Sequence, residues 1–565
     1  METDFEHAWQ HWAQMVNKTT GADWQDLSHI TEDGISIKPI YPHDAVSAHA
    51  VFTTPGWQMA QFVADDATPQ VLNKSILDEL ESSVSMIMLP LAVTSQMTAD
   101  HMTQILDGVY TDACQFGHPH GGDVITYAKI WADYACGAEY RGHDSNDLVV
   151  HLGADPMADI MLDLCGQDTA EDRAKALAAW YVERQSNLSS FCCFAASGDA
   201  YHRYGLTDGQ ELGLCLASLI WQLRLWEQAG YSLAEALPKS VMRIAVTSDL
   251  YSALTKTRGA RMLLRHLCSV IGLDENKTAN LMPSLHVFTS DRMMSRIEPM
   301  NNVLRHVTAS LGAALGGAEI MTTLPHDWLT GSTEMSRRLA RNIQLIMRDE
   351  ARLDQVADPA HGAPSLEAIS QAIAKKAWQI FQDIEASGGA MAAVTSGMVG
   401  DWAAAANTTR QTKMDDRDEA MLGINHHPQQ ASEMLPPLLI ENGMMRGGMA
   451  RPAQPWEDLR QAAAAKDMRC LILDHGDSDK AHISRWLDDM RMAGIQAAHV
   501  SVADAETAEA QILAAKPHLL IADPAAQSML SGHSQDIGAL AVIPLDAKGV
   551  TRRQGIMAVI ERMAG

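Results

Sequence analysis

Two adjacent residues, Tyr201 and His202, lie in the stretch "FAASGDAYHRYGLTDGQELG" (194–213), just after an apolar run that reads as a buried strand. A phenol and an imidazole at a strand end can perform acid/base work or steer a radical, and they can equally be packing. A second group of chemically capable residues is "CQFGHPHGGD" (114–123), in which Cys114, His118, His120 and Asp123 are all metal-ligand types. Its glycines and proline read better as a loop than as a cage. A third is "LDHGDSDKAHISRW" (473–486), with two histidines (His475, His482) and three aspartates (Asp474, Asp477, Asp479). His426 and His427 open a Pro/Gly-rich stretch and read as linker.

Composition narrows the function classes. The chain has 565 residues, enough for two or three domains, and 47% of them are hydrophobic. Its net charge of −27, with no local Lys/Arg run, argues against nucleic acid and anionic membranes, both of which recruit basic patches. The eight cysteines (114, 136, 165, 192, 193, 215, 268, 470) form no C-x-x-C pair, so buried free thiols in a reducing cytosol are expected. The opening "METDFEHAWQHWAQMV" is acidic and amphipathic, unlike a signal peptide, and no run of 18 apolar residues occurs. A soluble, cytoplasmic chain follows as the expectation. The 32 methionines fall at core spacing on helix faces, as adaptable packing.

The elements that must position these residues follow from periodicity. Residues 1–45 read as an arm: a Trp-rich amphipathic helix, then an extended segment "TEDGISIKPIYP" (31–42). Strand candidates are 85–91, 123–128, 147–152, 189–196, 242–248, 285–290 and 318–325, separated by amphipathic helices such as 208–230, which ends on a glycine. Strand/helix alternation implies parallel strands with crossover helices, and about eight units over 46–425 fit a (β/α)8 TIM barrel. Residues 426–465, rich in Pro, Gly and Met, read as a linker. Alternation restarts over 466–565, with strands at 469–474, 495–502, 518–523 and 539–545, as in a small flavodoxin-like α/β domain.

Several long blocks, in order, resemble the methylmalonyl-CoA mutase family, whose layout is a barrel followed by a flavodoxin-like cobalamin-binding domain. They are "TEDGISIKPIY" (31–41), "EPMNNVLRHVTASLGAALGGAEIMTTLPHD" (298–327), "SRRLARNIQLIMRDEARLDQVADPAHG" (336–362), "QIFQDIEASGGAMAAVTSG" (379–397) and "GINHHP" (423–428). The family has catalytic large chains and related small chains that pair with them.

The resemblance fails where the catalytic chains do chemistry. Their strand ends S-G-Y-H, whereas here Ser197-Gly198 is followed by Asp199-Ala200. The pair Tyr201-His202 sits two residues later, the small-chain pattern, and a two-residue shift moves a side chain by about 6.6 Å. Misplacement of about 1 Å can already cost roughly a hundredfold in rate. At the barrel entrance, catalytic chains carry P-W-T-I-R-Q-Y, with Arg and Tyr on the substrate. "GWQMAQF" (56–62) puts Ala60 and Phe62 there, and neither can donate a hydrogen bond. The later T-A-Q-Q-P-E-N-N stretch becomes "SRIEPMNN" (295–302), which keeps Asn301-Asn302 but carries Arg296, Ile297 and Glu298. In the last domain, catalytic chains have D-x-H-x-x-G, whose His ligates cobalt while the Asp orients that His. Within 473–486 no Asp has a His two residues on, and "ADPAAQSML" (522–530) replaces the glycines that admit the nucleotide tail.

The resemblance therefore implies the small, non-catalytic subunit of a heterodimer, with a degenerate cobalamin-binding-like domain and no catalytic, cofactor-binding or metal-binding residues of its own. Its large-subunit partner would bind adenosylcobalamin and acyl-CoA and convert (R)-methylmalonyl-CoA to succinyl-CoA, a step of propionate metabolism. Tyr201 and His202 are then structural. Trp9, Trp12 and Trp24 make the arm a candidate grip on that partner, with Trp57 just beyond it. Two alternatives stand beside this one: an active acyl-CoA mutase with an altered pocket, and an orphan regulatory pseudoenzyme that binds acyl-CoA.

Overall fold

The computed structural model describes residues 2–42, 50–64, 68–90, 98–119, 123–137, 140, 142, 144–273, 281–429, 434–436, 451–464, 468–476, 480–530, 541–545 and 549–562. The chain divides into two compact units. One comprises Met1–Arg292, Val303–Ala406 and Leu439–Met449; the other comprises Met293–Asn302, Asn407–Leu438 and Ala450–Gly565.

The first unit is built on a closed barrel of eight parallel strands: β1 (Gln58–Phe62), β2 (Met86–Met88), β3 (Gln115–Gly117), β4 (Val149–Ala154), β5 (Phe191–Ser197), β6 (Ser240–Val246), β7 (Ser284–Thr289) and β8 (Ile320–Thr322). β8 closes on β1 through Ile320↔Gln58 and Thr322↔Ala60. The strands are short, apolar and buried on both faces, as expected where helices cover the outside.

Three expectations are corrected. Residues 123–128 do not form a strand; they open helix α2 (Val124–Ala135). Asp123 caps its start, accepting from the Thr126 backbone at 3.3 Å and from the Thr126 hydroxyl at 2.6 Å. Buried Val124, Tyr127, Ala128, Trp131 and Ala135 recur at helical spacing. The strand of that barrel unit is β3, inside the stretch read as a loop. The segment 31–42 is not simply extended: His29–Ile30 and Ser36–Ile37 pair antiparallel as a hairpin behind helix α1 (Glu2–Thr20). Finally, not every thiol is buried. All eight cysteines are free, but Cys136 is exposed, and Cys165 and Cys192 are half-buried.

Helix α3 (Gly198–Tyr204) follows β5 without a loop, because Gly198 lacks the Cβ that would collide with the Arg243 carbonyl and lie 2.8 Å from Cys215 Sγ. Helix α4 (Asp208–Gln228) starts at a Thr207/Gln210 capping box, and helix α5 (Leu250–Val270) starts at Asp249. Gly230, two residues past α4, has φ +93°, the left-handed turn its sequence position promised.

The second unit holds a parallel four-stranded sheet in the order β10-β9-β11-β12: β9 (Arg469–Asp474), β10 (Gln496–Ser501), β11 (Leu519–Ala522) and β12 (Ala541–Pro544). Alternate residues of β9 and β11 enter two cores. One takes Cys470, Ile472, Leu519 and Ile521 together with Trp456 of α6 (Gln454–Ala464), Trp486 and Met490 of α7 (Lys480–Met492) and Ile556 of α10 (Gly549–Arg562). The other takes Leu471, Leu473, Leu520 and Ala522 with Ile512 of α8 (Ala505–Ala515) and Leu530 of α9 (Pro524–Leu530). Among the described residues no helix is long and apolar enough to cross a membrane.

Candidate functional site

Tyr201 and His202 lie on α3, fully buried. The Tyr201 hydroxyl donates to Asp155 Oδ2 at 2.6 Å. Asp155 follows β4 and also accepts from the Ser197 backbone (2.5 Å), the Ser218 hydroxyl (3.1 Å) and the Met157 backbone (3.1 Å). Burial raises the Tyr201 phenol well above its ordinary range, and the Asp155 charge adds to it, so it stays a neutral donor.

His202 Nδ1 lies 3.1 Å from Glu211 Oε2, and its Nε2 lies 2.8 Å from Ser290 Oγ. His202, Asp208 and Glu211 cluster closely enough to resemble a metal cage. Its cation position is already held by an ammonium. Lys256 Nζ donates to Asp208 Oδ1 (2.8 Å), Glu211 Oε2 (2.6 Å) and the Ala245 carbonyl (2.7 Å), which uses all three of its protons. Burial opposes the Lys256 charge, yet Asp208 and Glu211 outweigh it and raise the amine's pKa. Burial also lifts Glu211 to about 7, with Lys256 pulling the other way. The cluster ties α3, α4, α5 and β6 together. Nothing in the sequence spacing announced it, because Lys256 lies 45 residues from Glu211.

The other sequence candidates scatter. His118 is buried and its Nε2 accepts from Trp131 Nε1 at 2.6 Å, while Asp123 caps α2; His120 lies outside the described residues. Burial, followed by the Arg243 charge, pulls His118 down to about 3. His426 and His427 touch each other with ring centroids 6.1 Å apart. Arg296 belongs to the second unit, where it and Arg451 both pair with Glu457 Oε2 at 2.8 Å. Burial works against the Glu457 charge, but Arg451 and Arg296 prevail and hold it down at about 2.

Inside the barrel, Ala60 and Phe62 take the inner face of β1, and Phe62 stacks near Phe288 (6.5 Å) and Trp328 (4.8 Å). Met86 and Met88 crowd the space over Gly117, where an added Cβ would lie 2.5 Å from Met88 Sδ. The interior also holds polar residues that sequence reading passed over: buried His151, Arg243 and His286, and half-buried Gln115 beside His151. They sit at alternating positions of otherwise apolar strands, and that period was the signal available.

At the carboxyl edge of the second unit's sheet, Asp474 accepts from Ser501 Oγ (2.6 Å) and the Gly476 backbone (3.0 Å), and its Oδ1 lies 2.9 Å from His499 Nε2. His475 Nδ1 lies 3.0 Å from the Val502 carbonyl, and its backbone donates to Asp523 at 2.9 Å. Asp477 and Asp479 fall outside the described residues, and His482 lies on α7.

The profile described as "Methylmalonyl-CoA mutase" matches residues 92–471. The "Methylmalonyl-CoA mutase small subunit" of Streptomyces virginiae is 30% identical over 443 residues, which cover 74% of this chain and 70% of that protein. The chain belongs to the methylmalonyl-CoA mutase family. The "Probable methylmalonyl-CoA mutase small subunit" of Mycobacterium tuberculosis is 29% identical, aligned over 68% of this chain and 61% of its own length. The mitochondrial methylmalonyl-CoA mutase of Bos taurus is 23% identical over 81% of this chain and 66% of that protein. As a mutase-family chain it has the expected barrel and parallel-sheet unit. Asp199 and Ala200, which follow Ser197-Gly198, lie in the first turn of α3.

The residues at the second unit's sheet edge do not fit a cobalamin. Among the described residues no carboxylate hydrogen-bonds the His475 imidazole, whose Nδ1 faces the Val502 carbonyl. Leu530 and Ala526 of α9 and Ile512 of α8 pack against Leu471, Leu473 and Leu520 on one face of the sheet.

Proposed function

We propose that this chain is the small, non-catalytic subunit of a heterodimeric methylmalonyl-CoA mutase. Its large partner would bind adenosylcobalamin and isomerise (R)-methylmalonyl-CoA to succinyl-CoA. The observation that carries this reading is the fate of Tyr201 and His202: both are fully buried and engaged by Asp155, Glu211 and Ser290. A catalytic acid or base must reach the proton it moves, about 2.6–3.2 Å away in a substrate complex. These two groups face protein instead. Phe62 and Phe288, with Met86 and Met88 over Gly117, fill part of the barrel interior and support the same reading.

What remains for the chain is to fold, to bind the large subunit and to shape it. The arm supports a binding role. Trp9 packs on Trp12 (5.2 Å) and Trp24 (4.7 Å), while Met15, Leu27 and Ile30 stay 49%, 48% and 54% exposed. Such an aromatic ledge with an apolar fringe suits a protein interface.

Equilibrium dialysis against adenosylcobalamin tests the assignment. The isolated chain should retain none at micromolar ligand, and the complex with its large subunit should retain one per heterodimer. Stoichiometric micromolar binding to this chain alone would contradict it.

A further inference from the structure

Arg243 lies mid-strand on β6 and is 1% exposed. Its Nη2 donates at 2.5 Å to the carbonyl of His118, just beyond β3, three strands around the barrel. The side chain therefore crosses the interior. Its Nε and Nη1 have no hydrogen-bond partner. Gly153 leaves room for this crossing, since a Cβ there would lie 2.8 Å from Nη2 and 3.0 Å from Nη1, and φ +73° at Gly153 suits glycine.

Two histidines line the same interior. His286 is the cross-strand partner of Arg243, with Nε2 2.8 Å from Thr322 Oγ1; His151 Nε2 lies 3.2 Å from Gln115 Oε1. Both are buried, and both have Nδ1 without a partner. The Thr322 hydroxyl can give or take a proton, so His286 can carry its own proton on Nδ1. Burial, then the nearby Arg243 charge, pulls His151 down to about 3 and His286 well below the ordinary imidazole range, so both stay neutral. Among the described residues no carboxylate hydrogen-bonds Arg243; Asp199 and Asp155 act on it only through their fields.

An ionised guanidinium with three N–H bonds lacking acceptors is a costly thing to bury. A water could accept from it but would add no counter-charge to the fields of Asp199 and Asp155, which burial outweighs. We propose that the barrel interior binds a small monoanion, a halide or a carboxylate, held by Arg243 Nε and Nη1 beside His286 and His151. Guanidinium suits this ligand because it is always charged and presents its donors in a planar fork. The site would make a small anion part of the folded barrel and does not depend on the subunit assignment.

Thermal unfolding of the full chain at constant ionic strength tests this, with chloride replacing the bulky anion gluconate. Wild type should gain about 4 °C or more, saturably. Arg243→Met should lose the chloride response and match or exceed chloride-free wild type, because it removes a buried charge. An equal gain in both proteins, or none in wild type, would overturn the site. Should Arg243→Met fail to fold, wild-type crystals grown in bromide decide: an anomalous peak within hydrogen-bond reach of Nε and Nη1 supports the proposal, and its absence refutes it. Acetate and methylmalonyl-CoA then identify the source. Loss of the chloride response with acetate alone indicates a free carboxylate, and loss with methylmalonyl-CoA as well assigns it to an acyl group.

Discussion

Lys256 shows how far individual residues explain this fold. It is buried against two carboxylates and a carbonyl, so its removal strands negative charge where water cannot reach. Lys256→Met should destabilise the chain by about 3 kcal/mol or more, the range for breaking one side of a buried ion pair. Urea unfolding measures this, and a change below about 1 kcal/mol would show that Glu211 and Asp208 find other partners. None of this cluster could be read from sequence. Asp208, Glu211 and Lys256 lie on two helices whose apposition only the barrel defines, and polar residues in helices usually face solvent. Tyr201 and His202 were visible as candidates, and their distance from Ser197-Gly198 is the ground for expecting them to differ from the pair of catalytic chains. Their partners Asp155, Glu211 and Ser290 were not visible.

Legibility at the element scale depended on length and composition. Long apolar strands such as β5, β6 and β7 stood out. β1 and β3 did not: β3 is three residues inside a Gly/His/Pro-rich stretch, and its pairing comes from its neighbours rather than from propensity. The misassignment at 123–128 arose because Val, Ile, Thr and Tyr favour strands locally, whereas the Asp123 cap and the apolar spacing to Ala135 decide for helix.

The arm illustrates an element whose attachment can be titrated. Asp33, between the hairpin strands, accepts from Thr207 Oγ1 (2.6 Å) and the Gly209 backbone (3.0 Å) at the start of α4. Burial, then Asp208, raises its carboxyl from 3.8 to about 6; Thr207 and Gly209 oppose this, and Glu32 adds to it. Since the docked value exceeds the free one, protonation favours docking. Docking is therefore strongest below about pH 4 and weakens as pH rises through 6. Proteolytic cleavage within residues 1–30 should accelerate across that window in wild type and stay flat in Asp33→Asn. A flat wild-type profile would rule out this latch. Deleting residues 1–30 should weaken association with the large subunit at least tenfold by sedimentation or titration calorimetry. Unchanged association would remove the arm from the interface.

For the whole molecule, the order of blocks along the chain revealed the family and the two architectures. Sequence alone did not reveal that Arg296 and Glu457, 161 residues apart, pair within the second unit, nor that the barrel interior carries an arginine whose Nε and Nη1 lack a protein acceptor. Both depend on long-range closure, which local pattern does not encode. Under the proposed function, a closed barrel of the mutase family supports catalysis without performing it. The most direct test of this is turnover of the reconstituted complex carrying Tyr201→Phe and His202→Gln, at saturating large subunit and adenosylcobalamin, with assembly checked by sedimentation. Glutamine keeps a donor and an acceptor for Glu211 and Ser290, so the fold should survive. Turnover within about threefold of wild type is the predicted result. A loss of roughly a hundredfold or more with the complex intact, the size expected for removing a working acid/base group, would contradict the non-catalytic assignment.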